Sequence, residues 1–216
     1  MVLPVQAPMT ALRVAAAVCL LAALGACANI DSGPNHSPEE VARAAYRDDG
    51  PAELTLYTMV DNNTGSGAHT SLLINAPSQR VIFDPSGSVD MPSAPEIDDV
   101  LYGITPKVRE IYESAHARNT YRVRIQTVLV PSGVADRAMR LAQANGPVGA
   151  TQCTSATARI LRQLPGFESV GSTLFPNTLA NRFARLPGVQ ERVLREDDSD
   201  DKARAIAALE AAQPNQ

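Results

Sequence analysis

Three side chains suited to acyl transfer lie far apart in this chain: His69, Asp84 and Cys153. A thiol becomes a working nucleophile when an imidazole takes its proton and a third group fixes that imidazole. Cys153 is the residue that makes this chemistry worth testing. The sequence holds three cysteines. Cys19 falls inside an apolar leader and Cys27 at its end, so Cys153 is the one cysteine within the part expected to fold. The rival explanation is burial, because an unpaired cysteine also serves as a small core residue.

Two local elements must bring these residues together. Ala68 to Asn75 and Arg80 to Asp84 read as strands joined around Pro77. Pro at the second position of a type I turn gives Ala76-Pro77-Ser78-Gln79 as the loop. Asn75 then faces Arg80, Ser71 faces Asp84 and His69 faces Ser86. A tighter Ala76-Pro77 loop would set His69 opposite Asp84, at the expense of positive φ at Ala76. Both registers put His69, Ser71, Leu73, Arg80, Ile82 and Asp84 on one face. Thr70, Leu72, Ile74, Val81 and Phe83 form the other, apolar face. His69 and Asp84 are then about 5–8 Å apart at their β-carbons, within reach of a hydrogen bond. An ordinary surface ion pair would look the same. The second element is a helix from about Gln152 to Leu164, stopped by Pro165-Gly166. With Thr151 as N-cap, Cys153 is the second helical residue, where the positive end of the helix dipole favours a thiolate. It heads an apolar stripe through Ala156, Thr157, Ile160, Leu161 and Leu164.

The chain begins with a leader rather than a folded segment. Arg13 precedes the apolar run Val14–Leu24, which is shorter than the roughly 20 residues of a membrane span. The formal net charge is −4, and loss of Arg13 with the leader makes it −5. With no Trp and no basic run, nucleic acid is an unsuitable partner. The mature 190 residues suffice for one domain but are tight for two. The expected division is a leader over 1–26, then Cys27, a polar tether and a short helix over 27–50. A folded domain covers 51–195, and an acidic, Ala-rich tail covers 196–216. The tail reads as an exposed helix on a mobile end, and neither end is expected to carry chemistry.

Further strands are expected at 54–60 and 121–130, with helices near 106–118, 134–145 and 178–185. The fold class is α+β, a mostly antiparallel sheet packed against a nucleophile-bearing helix. His36 reads as solvated in the tether, and His116 as a cation suited to a helix C-terminus. No His, Cys and carboxylate spacing matches a zinc site, so neither metal nor cofactor is expected.

Two resemblances sharpen these expectations. Leu24-Gly25-Ala26-Cys27 resembles the lipobox of bacterial lipoproteins. It implies cleavage before Cys27 and lipid on that residue, hence a membrane anchor on the periplasmic side of the envelope. Ala28, where an Asp would favour the inner membrane, leans toward the outer one. Three further stretches together resemble the circularly permuted papain-like branch of the NlpC/P60 superfamily, which includes lecithin retinol acyltransferase-like enzymes. They are Gly67-Ala-His69-Thr-Ser-Leu-Leu-Ile74, Arg80-Val-Ile-Phe-Asp84-Pro-Ser-Gly87 and Gln152-Cys153-Thr-Ser-Ala-Thr-Ala-Arg-Ile-Leu161. The resemblance implies Cys153 as nucleophile, His69 as general base and Asp84 as orienting residue. It also implies an oxyanion site involving the Cys153 N–H and Gln152, which stands where an Asn is usual. The expected activity is hydrolysis of an amide or ester, with a peptidoglycan stem peptide or an acyl ester as substrate. An inactive binding or scaffold lipoprotein and a lipid-dependent acyltransferase are the alternatives.

Overall fold

The computed structural model describes residues 35–87 and 89–212. The leader, the lipobox with Cys27, and most of the tether lie outside the described residues. The expected α+β class holds, as a seven-stranded antiparallel sheet with six α-helices among the described residues. The strands are β1 (Glu53–Asp61), β2 (Gly67–Asn75), β3 (Arg80–Phe83), β4 (Glu96–Ile97), β5 (Val100–Leu101), β6 (Tyr121–Leu129) and β7 (Gln190–Leu194). Their spatial order is β4-β5-β3-β2-β1-β6-β7. The helices are α1 (Pro38–Ala44), α2 (Pro106–His116), α3 (Ser132–Gln143), α4 (Cys153–Leu161), α5 (Pro176–Phe183) and α6 (Lys202–Ala211). No helix is long and apolar enough to cross a membrane among these residues.

Four of the strands match the alternating or β-branched runs in the sequence. The other three do not announce themselves. β4 and β5 are two residues each, too short for any period, and β7 is an exposed, polar edge strand.

Both faces of the sheet are covered. Leu54, Leu56, Leu72, Ile74 and Phe83 pack beneath Ala135, Met139, Ile160, Leu179 and Phe183 of α3, α4 and α5. On the other side Tyr57, Met59, Leu73, Ile82 and Ile125 pack with Val108, Ile111 and Tyr112 of α2 and Ile206 of α6. The face shared by His69 and Asp84 is therefore a second core surface, and an ion pair there is not a solvated one. The four-residue hairpin loop sets the register of β2 and β3 as its turn chemistry requires. Asn75 pairs with Arg80, Ile74 with Val81 and Leu72 with Phe83.

The ends of the described chain are tied to this body. Ser37 and Glu40 form a reciprocal capping box at α1. His36, expected in solvent, accepts a hydrogen bond at Nδ1 from the Glu96 N–H (3.0 Å) and donates its own N–H to the Glu96 carbonyl (2.8 Å). The tail helix differs from expectation too. The acidic segment before α6 is bound to the body: Asp198 pairs with Arg118 (3.2 Å) and Asp200 accepts from the Thr120 hydroxyl (2.6 Å). Asp201 caps α6 through the Arg204 N–H, and Ile206 is 4% exposed. The Ala-rich run hid this docking because a single buried isoleucine gives no amphipathic stripe.

Gly67, which opens β2 two residues before His69, is held against the start of α5. A β-carbon there would meet Pro176 Cβ at 2.7 Å and the Asn177 backbone nitrogen at 2.9 Å. Neither neighbour is the free end of a flexible side chain. Gly67→Ala is expected to cost about 1–3 kcal/mol of stability by overpacking, read as a lower urea midpoint with an unchanged slope. An unaltered midpoint would mean that the β2–α5 junction yields freely.

Candidate active site

The site arises where the β2–β3 ladder stops. Val81 and Phe83 face Ile74 and Leu72, so continuing the register sets Pro85 against Thr70. Pro85 has no N–H, so the ladder cannot be extended there. Ser86 and Gly87 then take positive φ (74° and 46°) and turn the chain away, closed by Gly87 N–H to the Asp84 carbonyl (3.2 Å). The Thr70 N–H lies near the Cys153 sulfur instead and helps hold the thiol below its ordinary pKa.

This arrangement explains how residues on opposite sides of the sheet meet. Helix α4 packs on the Thr70 face, where the Thr70 and Thr154 hydroxyls are 3.2 Å apart. His69 projects to the other face. A thiol lying at the level of the sheet, in the gap left by β3, is close to both. The Thr154 hydroxyl is 3.8 Å from Cys153 Sγ.

His69 Nε2 lies 2.6 Å from Asp84 Oδ1, and Asp84 is 2% exposed. That bond leaves Nδ1 for the thiol. Burial pushes the imidazole pKa down, but the charge and hydrogen bond of Asp84, helped by Cys153, overcome it and bring it to about 9. Burial likewise pushes the Cys153 thiol up, yet the His69 hydrogen bond and charge leave it below its ordinary value. The two shifts are mutual and favour an imidazolium–thiolate pair. Cys153 is a free thiol, 7% exposed.

The helix start is set differently from the sequence reading. Thr151 is not the N-cap: it has a φ of 69°, a left-handed conformation that a β-branched residue adopts only under strain. Gln152 is the N-cap, without a side-chain capping bond, so Cys153 is the first residue of α4. Its N–H belongs to the first helical turn, whose donors have no intrahelical acceptor. Gln152 is exposed beside it. The three residues expected to act as nucleophile, base and orienting group are thus brought together, with Gln152 next in line.

Several contributors carried no sequence signal. Asp99, 1% exposed, accepts from the Ser86 N–H (3.3 Å) and the Val148 N–H (2.7 Å), while its carbonyl accepts from the Asp84 N–H (2.8 Å). It joins the turn after Asp84 to the loop that leads into Cys153. Ser86 reinforces that junction through its hydroxyl to the Gly149 carbonyl (2.8 Å). Tyr112 donates to Ser71 (2.7 Å) and lies next to Asp84. His116 is a correction: burial, then the neighbouring Lys202 charge, push its pKa down to about 3. It is neutral, bonded through Nδ1 to the Tyr112 carbonyl (2.8 Å), and its ring stacks on His69 with centroids 6.2 Å apart. It serves as packing behind the base rather than as a cation at a helix end. Among the described residues no cluster of three His, Cys, Asp or Glu side chains could hold a metal.

Compared with known protein families, curated proteins and solved structures, the chain matches none of them.

The His69–Asp84 pair makes a definite titration prediction. The stabilisation it supplies is full below the ordinary imidazole value of about 6.5 and is lost as pH rises through about 9. A histidine-selective NMR titration should give a His69 midpoint near 9 in the wild type. In Asp84→Asn burial remains without its counter-charge, and the midpoint should fall by more than one unit. A midpoint unmoved by that substitution would remove Asp84 from the site.

Proposed function

We propose that the protein is a cysteine hydrolase working through an acyl-enzyme on Cys153, on a permuted papain-like, NlpC/P60-type domain. The observation that carries this reading is the 2.6 Å His69–Asp84 bond, with the remaining imidazole nitrogen serving the thiol. A structural cysteine has no need of a buried carboxylate–imidazole pair at its side.

In this mechanism the Cys153 thiolate attacks the carbonyl carbon of an amide or ester. The Cys153 N–H, at the head of α4, faces the oxygen that becomes negative. As the tetrahedral intermediate collapses, the His69 imidazolium gives its proton to the departing amine or alkoxide, leaving a thioester and neutral imidazole. His69 then takes a proton from water, the hydroxide attacks the thioester, and Cys153 leaves as thiolate while His69 regains its charge. Asp84 stays ionised throughout and keeps Nε2 as the bonded nitrogen.

The lipobox Leu24-Gly25-Ala26-Cys27 supports a lipid anchor on the periplasmic side of the envelope. A peptidoglycan stem peptide is the amide nearest to a protein held there. The same chemistry with an amine in place of water is acyl transfer.

The test is trapping of the acyl-enzyme. With p-nitrophenyl acetate, a burst of nitrophenolate should accompany one acetyl group on Cys153, located by mass spectrometry of the digested protein. Cys153→Ala should abolish the burst, and His69→Ala should slow acylation by on the order of 1000-fold. Added amine tells transferase from hydrolase by the product formed. Absence of both burst and adduct would leave a binding or scaffold protein.

A further inference from the structure

Two threonine hydroxyls meet beside the nucleophile, outside the set of Cys153, His69 and Asp84. Thr154 follows Cys153 as the second residue of α4, and Thr70 follows His69 on β2. Both are fully buried, with their hydroxyl oxygens 3.2 Å apart, and Thr154 Oγ1 is 3.8 Å from Cys153 Sγ. Among the described residues neither hydroxyl has another partner. A threonine in a helix commonly turns its hydroxyl back to a carbonyl of the preceding turn. Thr154 turns it across to the strand and the sulfur instead.

Proton counting fixes the direction of this chain. Each hydroxyl has a single proton to give. If Thr154 gave its proton to Thr70, the Thr70 proton would have no acceptor, and a buried donor left unpaired is costly. If Thr70 donates to Thr154, the Thr154 proton is left for the sulfur and both are satisfied. An ionised sulfur accepts that bond well and a neutral thiol only weakly. Burial pushes the thiol up, and the His69 bond and charge, then the Thr154 bond, bring it down. The charged groups around the sulfur are few. His69 faces it from β2 with Asp84 behind, neutral His116 of α2 stacks on His69, and Lys202 of α6 and Asp99 act on Asp84. The charged residues of α4 and α5, Arg159 and Arg182, are bonded elsewhere, to Asn145 and the Val170 carbonyl.

We infer that Thr154, backed by Thr70, is a positioning residue for the nucleophile, its hydroxyl donating to the Cys153 sulfur and favouring the thiolate. The same bond restrains the sulfur, because nucleophilicity falls as a thiolate is stabilised. The consequence for acylation rests on the hydrolase reading, whereas the effect on the thiol does not.

The experiment follows the rate of Cys153 alkylation with iodoacetamide against pH in wild type, Thr154→Val, Thr154→Ser and Thr70→Val. Thr154→Val keeps the shape and loses the donor. Its midpoint should rise by about one unit, the size expected for a hydrogen bond to a charged group. Its plateau rate at high pH should rise about threefold, because the released thiolate is the stronger nucleophile. Thr154→Ser should restore both values. Thr70→Val leaves the Thr154 donor in place without its support and should give a smaller rise in midpoint. His69 should still titrate near 9 in each folded variant, since Asp84 is untouched. An unmoved midpoint in a folded Thr154→Val would overturn the inference, as would a shift that Thr154→Ser fails to reverse. If Thr154→Val does not fold, an unmoved midpoint in Thr70→Val overturns it. A burst from p-nitrophenyl acetate separates the two claims. A burst with an unmoved midpoint removes the donor alone, and a moved midpoint without a burst removes the hydrolase alone.

Discussion

The site depends on a strand ladder that ends one residue too soon. Pro85 falls where β3 should next bond to β2, and a residue without an N–H cannot make that bond. The turn that follows at Ser86 and Gly87 carries the Pro85 carbonyl out of the ladder as well, which leaves the Thr70 N–H without a strand acceptor on that side. A backbone donor at a strand edge needs a partner, and the sulfur at the head of α4 supplies one. The same event frees Asp84, the last residue before the turn, to receive the imidazole of His69. The proline and the positive-φ turn after it together make room for the thiol and leave a backbone donor beside it.

Charge balance explains why so much burial is tolerated. A lone buried anion or cation would be neutralised by a shifted pKa. Here the Asp84 carboxylate is met by the His69 imidazolium and the nearby Lys202 ammonium, and the same imidazolium lowers the Cys153 thiol. His116 stays neutral between them and adds no further charge. Desolvation opposes each ion and the neighbours answer it, which leaves His69 at about 9 rather than well below its ordinary value. Asp99 holds the loop after Asp84 by hydrogen bonds, and Tyr112 donates to Ser71 next to the carboxylate.

Much of this could be read from the sequence, and the reason is local. The Pro77 loop fixes the register of β2 against β3, and side-chain alternation then places His69 and Asp84 on one face. A helix beginning beside Cys153 followed from its apolar stripe. What escaped was set by contacts between distant segments. Thr151 was the natural N-cap by residue type, yet the approach of the preceding loop, held by Asp99 and Ser86, forces it into positive φ and moves the cap to Gln152. The tail looked like a solvated helix because its anchoring rests on acidic residues that pair with Arg118 and Thr120, about eighty positions away. Lys202 beside the base had no signal at all, since nothing in an Ala-rich run tells which residue faces inward.

The central claim is that Cys153 and His69 act as one titrating unit. It is tested most directly by the rate of Cys153 alkylation with iodoacetamide as a function of pH, in the wild-type soluble domain and in His69→Ala. The account predicts a wild-type midpoint well below the free-thiol value of about 8.5, displaced upward in the mutant because burial then acts on the thiol without an imidazole to oppose it. A wild-type midpoint at the free-thiol value, or one that His69→Ala does not move, would contradict it.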